Sequence, residues 1–292
     1  MKILVIGGTR FFGKNLVSAL LEQKHDVTIL SRGNNDIPYP QKTSHIKADR
    51  NDFTDALNTE SHWDVVYDQI CYCTNDAIAT LEAIKNKTKK LIIASSEAVY
   101  PDGANMKETN FDPYKFQYES GLRSQFTYAA GKQNAEAFLY QNAKIPVIAA
   151  RIPFVFGETD YTNRLRSLID AVKNKTPLYV PCPQASLSII HETDIANALA
   201  ALKEIDYNGP FNVAPCALIT VQSLLERIEA VVERAPIIEN NISPNSFSSD
   251  FFVPSSRSLN PELAASYGLQ VPDIEDWLMP LIKTIHNQFT SH

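Results

Sequence analysis

Residues 1–20 read MKILVIGGTRFFGKNLVSAL, and this stretch decides the fold. The run Lys2–Ile6 is almost entirely apolar and predicts a buried strand. It leads directly into Gly7 and Gly8, and the amphipathic stretch Phe12–Gln23 that follows predicts a helix. A strand, a glycine-rich turn and a helix in this order are typical of units that hold a dinucleotide diphosphate at the helix N-terminus.

The same alternation of short β-branched runs and helix-length segments continues along the first half of the chain. The predicted strands are Lys2–Ile6, Asp26–Leu30, Ser44–Lys47, Val65–Gln69, Lys90–Ala94 and Ile145–Arg151. Helices are predicted at Phe12–Gln23, Asp76–Asn86 and Gly121–Ala143. This alternation predicts an α/β fold, a Rossmann-type doubly wound parallel sheet with helices on both faces.

After Gly157 the pattern becomes less regular. The predicted elements are a helix at Asn163–Lys173, a strand at Ser186–Ile190, a helix at Thr193–Leu202 and a last helix at Ile274–Phe289, with Pro280 kinking it or marking its early turn. Proline and asparagine cluster at Ile242–Pro254, which predicts a surface excursion. We expect a dinucleotide-binding domain at 1–157, to which 186–213 returns, and a smaller substrate lobe at 158–185 and 214–292.

Composition excludes several classes of protein. The net charge of −6 gives no general attraction to phosphate backbones or anionic lipid, so nucleic acid is a disfavoured partner. The first apolar run ends at Gly7, too early for a signal peptide, and the longest one, 145–156, contains Arg151 and Pro153 and cannot span a bilayer. Four cysteines in 292 residues form no disulfide framework and no metal cluster, so we expect a cytoplasmic protein with reduced thiols and no metal.

The glycine turn is the first candidate for a cofactor site. Gly7 permits a tight turn out of the strand, and Gly13 lets the helix approach the sheet closely. We expect the whole turn to line a dinucleotide site: Gly7, Gly8, Thr9, Arg10, Phe11, Phe12 and Gly13. The alternative is a glycine-rich turn that binds nothing.

The end of the second predicted strand indicates which dinucleotide is bound. NAD enzymes usually carry an acidic residue here, about 20 residues after the glycine turn, for the ribose hydroxyls. This chain has Ser31, Arg32 and Gly33 instead, and Arg10 replaces the usual middle glycine of the turn. Guanidinium groups bind phosphate through charge-assisted hydrogen bonds, so Arg10 and Arg32 predict NADP(H) rather than NAD(H). The alternative for Arg32 is a solvated turn residue.

Asp49 and Arg50 follow the third predicted strand and complete the expected adenosine end of the site. The Asp49 carboxylate is suited to accept a hydrogen bond from the adenine amine. It is equally suited to cap the N-terminus of a helix, and the sequence leaves both alternatives open.

Tyr128 and Lys132 lie four residues apart on one face of a predicted helix. A phenol titrates near pH ~10, and a fixed cation beside it favours the phenolate that acid/base catalysis at a hydroxyl or carbonyl requires. The spacing alone is common by chance. Ser95 and Ser96 support it, because they follow the predicted strand Lys90–Ala94 and carboxyl ends of parallel strands are where α/β sheets bind ligands.

Together these motifs resemble the extended short-chain dehydrogenase/reductase superfamily, which includes nucleotide-sugar epimerases, dehydratases and NADP-linked carbonyl reductases. The resemblance covers essentially the whole chain. Its further motifs are Ser-Ser-x-x-Val-Tyr at Ser95–Tyr100, Arg-x-Pro-x-x-x-Gly at Arg151–Gly157 and Ile-His-x-x-Asp-x-Ala at Ile190–Ala196. The resemblance implies an NAD(P)-dependent enzyme.

The resemblance also implies roles for individual residues. Ser96 matches the catalytic hydroxyl, Tyr128 the acid/base, and Lys132 the residue that holds the cofactor ribose and tunes the tyrosine. It places Cys71 beside the ribose and Pro153, Phe154 and Val155 near the carboxamide. It gives His191 and Asp194 a structural role at a strand–helix junction.

Three departures limit what the resemblance implies about the substrate. Phe154 stands where sugar epimerases usually carry an asparagine that contacts the sugar diphosphate. Only Glu97 is acidic after Ser96, where sugar 4,6-dehydratases have two adjacent acids. The turn Gly7–Gly13 resembles that of an atypical subgroup, some members of which bind RNA in plastids.

We therefore expect hydride transfer at a hydroxyl/keto carbon of a small molecule, with net NADPH-linked reduction favoured. A nucleotide-sugar epimerase that retains NAD is one alternative. A cofactor-binding or RNA-associated scaffold without turnover is another. The superfamily often dimerises through helices like Gly121–Ala143, so a homodimer is among the expected assemblies.

Overall fold

The computed structural model describes residues 1–50, 52–57 and 62–288. The described strands are β1 (Lys2–Ile6), β2 (Asp26–Ser31), β3 (Thr43–Lys47), β4 (Val65–Asp68), β5 (Leu91–Ser96), β6 (Gly103–Met106), β7 (Val147–Ile152), β8 (Phe154–Phe156), β9 (Leu178–Tyr179), β10 (Ser186–Leu187), β11 (Ile189–His191), β12 (Gly209–Asn212), β13 (Ile219–Thr220), β14 (Ile238–Glu239) and β15 (Arg257–Leu259). The described α-helices are α1 (Phe11–Glu22), α2 (Phe53–Leu57), α3 (Thr74–Ala83), α4 (Tyr128–Asn142), α5 (Arg164–Lys173), α6 (Glu192–Ala201), α7 (Val221–Val232), α8 (Glu262–Ser266) and α9 (Leu278–Gln288).

Seven of these strands form one parallel sheet in the order β12-β7-β5-β4-β1-β2-β3. The strand order reverses between β1 and β4, and ligands of doubly wound sheets bind in the crevice at such a reversal. This architecture confirms the predicted Rossmann-type fold. It also brings the carboxyl ends of all seven strands to one edge.

Successive side chains of β1 explain why helices cover both faces of the sheet. Ile3 and Val5 belong to the hydrophobic cluster that α1 and α6 bury, whereas Leu4 and Ile6 belong to the cluster on the other face, which includes side chains of α3 and α4. All four side chains are fully buried. A strand covered on both faces reads as a continuous apolar run, as this one does.

A second body of apolar side chains lies outside the sheet and is built from α5, α7 and α9 with the small sheet β13-β10-β15-β6 at its side. The prediction of a surface excursion at Ile242–Pro254 is wrong in part, because Phe251, Phe252 and Val253 are buried in this cluster. The proline and asparagine content indicates turns, but three consecutive apolar side chains of this stretch are nevertheless buried in a hydrophobic core.

Several predicted bounds also differ from the structure. Helix α4 begins at Tyr128 rather than at Gly121, because a 3₁₀ turn at Arg123–Gln125 precedes it and Thr127 caps it. Ser188 splits the predicted strand Ser186–Ile190 into β10 and β11. Helix α9 starts at Leu278 with Pro280 in its first turn, and the predicted end at Phe289 lies outside the described residues.

Strand β12 joins the edge of the large sheet beside β7, which agrees with the expected return of part of 186–213. The domain boundaries themselves stay a prediction. A bilayer needs a longer apolar helix than any found in the described ranges.

Candidate active site

The glycine turn joins β1 to α1 in a conformation that needs its glycines. Gly7 and Gly8 have φ of +96° and +75°, values that other residues rarely adopt. A side chain on Gly13 would place its Cβ 3.0 Å from the Cα of Gly8. The turn is therefore folded tightly against the first turn of α1, as expected for a site that admits a diphosphate.

This turn forms one wall of a groove of about 520 Å³ along the carboxyl edge of the sheet. Predicted cofactor residues that line it are Gly7, Gly8, Thr9, Arg10, Phe11, Phe12, Gly13, Ser31, Arg32, Asp49 and Arg50. Further lining residues, which the sequence analysis did not assign, include Asn34, Asn35, Gln69, Tyr72, Arg123 and Tyr161.

Ser31 and Arg32 occupy the end of the groove at β2. The Ser31 hydroxyl contacts His45 Nε2 at 3.0 Å and accepts a hydrogen bond from the Gly33 amide at 3.3 Å. Arg32 is 67% exposed, and its Nε lies 4.0 Å from the Asp49 carboxylate. The structure thus places the predicted adenosine residues together, with both charges accessible to solvent.

Arg50 lines the same groove but is held by acids behind it. Its Nη2 donates to Asp68 Oδ1 at 2.6 Å, and its Nε lies 3.5 Å from Asp76. Burial alone would lower the pKa of Arg50, and the Asp68 carboxylate outweighs burial and raises it. This buried ion pair ties the loop after β3 to β4 and α3.

Tyr128 and Lys132 come together at the start of α4, because Thr127 accepts a hydrogen bond from the Ala130 amide and caps the helix. Lys132 is only 2% exposed. Its Nζ donates to the carbonyls of Cys71 at 2.8 Å and Ala94 at 2.6 Å, which compensate the buried charge. The ammonium is therefore fixed between the ends of β4 and β5.

Tyr128 differs from its partner in being half exposed, at 51%. The Lys132 Nζ lies 5.8 Å from the centre of the Tyr128 ring. The Tyr128 hydroxyl makes no hydrogen bond to any residue that the structure describes. A phenol that is open to solvent beside a fixed cation is available to exchange a proton with a bound molecule.

Ser96 ends β5 and accepts a hydrogen bond from the Ala98 amide at 3.2 Å. Its neighbour Ser95 donates to the Glu136 carboxylate, which pairs with Arg151 at 2.7 Å. Glu136 and Arg151 are fully buried, and burial alone would lower the pKa of Arg151, but Glu136 raises it. This network fixes the end of β5 from behind.

Tyr72 connects the groove to the catalytic candidates and was missed in the sequence. It lines the groove, and its ring centre lies 4.5 Å from the Lys132 Nζ and 6.3 Å from the centre of the Tyr128 ring. The available signal was its place just after the end of β4, where side chains of a parallel sheet reach ligands.

The catalytic candidates Ser96, Tyr128 and Lys132 lie at the same edge but do not themselves line the groove, and the same holds for the remaining predicted residues. The Cys71 side chain is fully buried, and its contribution is the carbonyl that holds Lys132. Pro153 and Val155 are buried just after β7, where β8 begins to pair with β11, and the Phe154 ring centre lies 6.2 Å from that of Phe251. His191 accepts a hydrogen bond from the Thr193 amide and caps α6, which confirms its structural role.

Residues 3–214 match the family described as "NAD dependent epimerase/dehydratase family". The chain belongs to this family. Membership confirms the resemblance noted in the sequence, and the family's description as NAD-dependent agrees with the predicted kind of enzyme. A nicotinamide cofactor is the ligand that the groove at the glycine turn takes in such enzymes.

Solved structures of similar shape share the fold across the whole chain. They include a putative epimerase from Burkholderia cenocepacia (TM-score 0.76, 18% identity, 98% of both chains). They also include UDP-glucose 4-epimerase from Thermus thermophilus in complex with NAD (TM-score 0.74, 19% identity, 99% of both chains). At these identities the likeness establishes the fold alone.

A curated relative with a detectable sequence match is the chloroplast stem-loop binding protein of 41 kDa b from Arabidopsis thaliana. It is 28% identical over an alignment of 217 positions that covers 68% of this chain. The chain spans about half, 53%, of the length of that relative.

Proposed function

We propose that the protein is an NADP(H)-linked oxidoreductase that acts on a hydroxyl/keto carbon of a small molecule, with Tyr128 as acid/base. The observation that carries this proposal is the position of Tyr128 and the buried Lys132 next to Tyr72, which lines a groove built on a glycine turn. The expected cytoplasmic location and homodimer remain predictions.

The residues present fit a dinucleotide. The groove volume of about 520 Å³ lies within the range of small-molecule and cofactor sites. Gln69 lines the groove, and neither atom of its buried side-chain amide has a hydrogen-bond partner among the described residues. A buried amide without partners is unusual in a folded protein, and polar groups of a ligand would satisfy it.

Side chains of the protein are proposed to exchange the proton with the substrate oxygen. When bound, a nicotinamide supplies or accepts a hydride, which leaves the substrate oxygen to gain or lose a proton. Tyr128 Oη is the group that would give or take it. Lys132, whose Nζ lies 5.8 Å from the Tyr128 ring centre, is the cation proposed to act beside that oxygen, and the Ser96 hydroxyl at the end of β5 is the candidate to orient the substrate oxygen.

The groove end at β2 supports NADP over NAD. Ser31 and Arg32 offer a hydroxyl and an exposed guanidinium, and the Lys47 stem packs beside Gly33, so the strand ends here carry more donors than acceptors. The Asp49 carboxylate is the negative charge at this end that would repel a 2′-phosphate. It lies 4.0 Å from Arg32 Nε, so the Arg32 charge is already close to it. Arg10 lines the same groove and is the second arginine proposed for the 2′-phosphate.

The test is a pair of fluorescence titrations with NADPH and NADH on protein freed of bound nucleotide. We expect NADPH to bind more tightly and to be consumed with a carbonyl substrate from a panel of aldehydes and ketones. Tighter binding of NADH would overturn the assignment of NADP. Failure of both dinucleotides to bind would overturn the proposed enzyme.

A nucleotide-sugar epimerase is the second candidate, because solved structures of the same fold carry that name and are complexes with NAD. Phe154 argues against it here. The position that would offer an asparagine to a sugar diphosphate is instead packed against Phe251 in an aromatic cluster. Tightly retained NAD and turnover without added cofactor would favour the epimerase.

RNA association is the third candidate, and the name of the chloroplast relative is the observation that favours it. The acidic balance of the chain, −6, opposes a purely electrostatic mode of binding. Salt-dependent binding of an RNA stem-loop that survives Tyr128→Phe, without hydride transfer to any carbonyl, would replace the enzymatic proposal.

A further inference from the structure

Arg123 differs from two other arginines of the groove because it has no acidic partner among the described residues. Arg32 lies 4.0 Å from the Asp49 carboxylate, and Arg50 forms an ion pair with Asp68 at 2.6 Å. Arg123 lines the same groove, is exposed, and forms no ion pair with any residue in the described ranges. An arginine without an acidic partner, next to a site for an anionic ligand, keeps its charge available for that ligand.

The Arg123 guanidinium is nevertheless held in place by an aromatic ring. Its Cζ lies 4.1 Å from the ring centre of Tyr72, a distance typical of a cation–π stack. Tyr72 itself is anchored, because its backbone carbonyl lies against α4, only 2.3 Å from where a Cβ on Gly131 would be. Stacking occupies the face of the guanidinium and leaves its N–H edge free to donate.

The position of this stack along the groove indicates which part of a dinucleotide it reaches. Tyr72 follows β4, the glycine turn follows β1, and Arg32 follows β2, and these strands are neighbours in that order. Adjacent strands lie about 4.8 Å apart, so Tyr72 is about two strand spacings from the proposed 2′-phosphate end. Between those two points lies the glycine turn, where the diphosphate binds.

The same groove carries a second stack of an arginine on a tyrosine. Arg10 of the glycine turn stacks on Tyr161, with Cζ 3.7 Å from the ring centre, and Tyr161 also packs edge-on against Phe11. All four residues of the two stacks line the groove, so aromatic rings hold two of its arginines.

We propose that Arg123, held on Tyr72, binds the diphosphate of the dinucleotide on the side of β4 and supplements the glycine turn. The inference rests on the proposed binding of a dinucleotide. The diphosphate carries two negative charges whose oxygens match the paired N–H donors of a guanidinium. The glycine turn supplies backbone amides and a helix terminus, and its one charged side chain, Arg10, is stacked on Tyr161 and already proposed for the 2′-phosphate.

The experiment compares dissociation constants for NADPH and NADH in the intact protein and in Arg123→Ala. The diphosphate is common to both dinucleotides, so we expect both constants to rise by about 10-fold to 100-fold. Arg32→Ala is the informative counterpart, because it should weaken NADPH alone. Arg234→Ala removes another exposed arginine, one that does not line the groove, and should change neither constant.

Adenosine 2′-monophosphate provides a further arm, because it keeps the 2′-phosphate and lacks the diphosphate. Its affinity should be the same in the intact protein and in Arg123→Ala. Unchanged constants for both dinucleotides in Arg123→Ala, or a loss confined to NADPH, would overturn the inference. If the intact protein itself bound neither dinucleotide, the proposed function would fail instead, so the two failures are distinguishable.

Discussion

The two ends of the groove are built on opposite principles. At the β2 end, the proposed recognition of the cofactor rests on the exposed side chains of Arg32 and Asp49, whose charges lie 4.0 Å apart. Beyond Tyr72, which lines the groove after β4, the Lys132 ammonium is buried and held by main-chain carbonyls at 2.6 and 2.8 Å. An exposed ion pair contributes little to stability, whereas a buried charge depends on every partner that it has.

A second buried layer strengthens this contrast. Behind Ser96, the side chains of Ser95, Glu136 and Arg151 form a network whose Arg151 also donates to Tyr100 Oη at 2.8 Å. At the β2 end, the comparable hydroxyl, Ser31, contacts only His45 and the Gly33 amide among the described residues. We infer that the end that selects the cofactor tolerates substitution, whereas the reactive end is coupled to the stability of the sheet.

The largest expected effect is the loss of turnover in Tyr128→Phe. This substitution should impair catalysis at the reactive end without changing the stability of the protein. Loss of an acid/base group lowers turnover by about 10²-fold to 10⁴-fold. Because Tyr128 is 51% exposed and bonds no described residue, the melting temperature and the affinity for NADPH should hardly change. The measurements are kcat, a thermal melt and a cofactor titration.

The control for that prediction is the same substitution at another half-exposed tyrosine. Tyr267 is 42% exposed and lies outside the groove, so Tyr267→Phe should leave turnover unchanged. Full activity in Tyr128→Phe would remove Tyr128 from the mechanism and with it the proposed acid/base.

Glu136→Ala tests the buried layer. It leaves the Arg151 guanidinium buried without its carboxylate, and breaking such a pair costs about 3–5 kcal/mol of stability. Urea denaturation should show this as a large fall in the midpoint. The exposed pair of Lys107 and Glu262 is the comparison, since Glu262→Ala should leave the midpoint nearly unchanged. Equal shifts in the two variants would contradict the proposed coupling.

The sheet was predictable because its signals are local. A buried parallel strand such as β1 reads as an apolar run, and the glycine turn follows it within a few residues. Element ends were harder. The stretch from Gly121 to Phe126 has helical composition, but the cap that starts α4 is Thr127, and a hydroxyl six residues further on is a weak sequence signal.

The site was predictable where a motif carries it and not where distant segments meet. The pairing of Tyr128 with Lys132 and the place of Ser96 follow from spacing and strand ends, whereas their roles rest on the family resemblance and stay predictions. The stack of Arg123 on Tyr72 joins the segment before α4 to the segment after β4, a contact that no local pattern encodes. Phe251 likewise lies in a stretch with turn composition, and only the packing of the second cluster shows that it is buried.

Arg32→Ala tests the other side of the comparison. It removes a charge-assisted contact to the 2′-phosphate, so we expect the dissociation constant for NADPH to rise by about 10-fold to 100-fold while that for NADH stays the same. The melting temperature should not move, because the Arg32 side chain is 67% exposed. A matching loss of NADH affinity would show that Arg32 does not read the 2′-phosphate.

The smallest effect, a change in melting temperature, is expected from a substitution of Glu97, which follows Ser96. Glu97 is buried, and neither of its carboxylate oxygens has a hydrogen-bond partner among the described residues. Burial raises its pKa well above the usual 4.5, and the nearby Asp102 adds to this while Arg257 opposes it. A pKa raised by folding means that the neutral form is favoured in the native state. Its contribution to stability is therefore complete below pH ~4.5 and is lost as the pH rises toward the native pKa.

Glu97→Gln keeps the shape of the side chain and removes this titration. Its melting temperature should match that of the intact protein near pH ~4.5 and exceed it by about 2–4 °C at higher pH. Glu275→Gln is the control of opposite sign, because Arg227 lowers the pKa of Glu275, so this substitution should cost stability as the pH rises. If the melting temperatures of Glu97→Gln and the intact protein changed with pH in the same way, the Glu97 carboxylate would be solvated. The region behind Ser96 would then be less buried than the contrast with the β2 end requires.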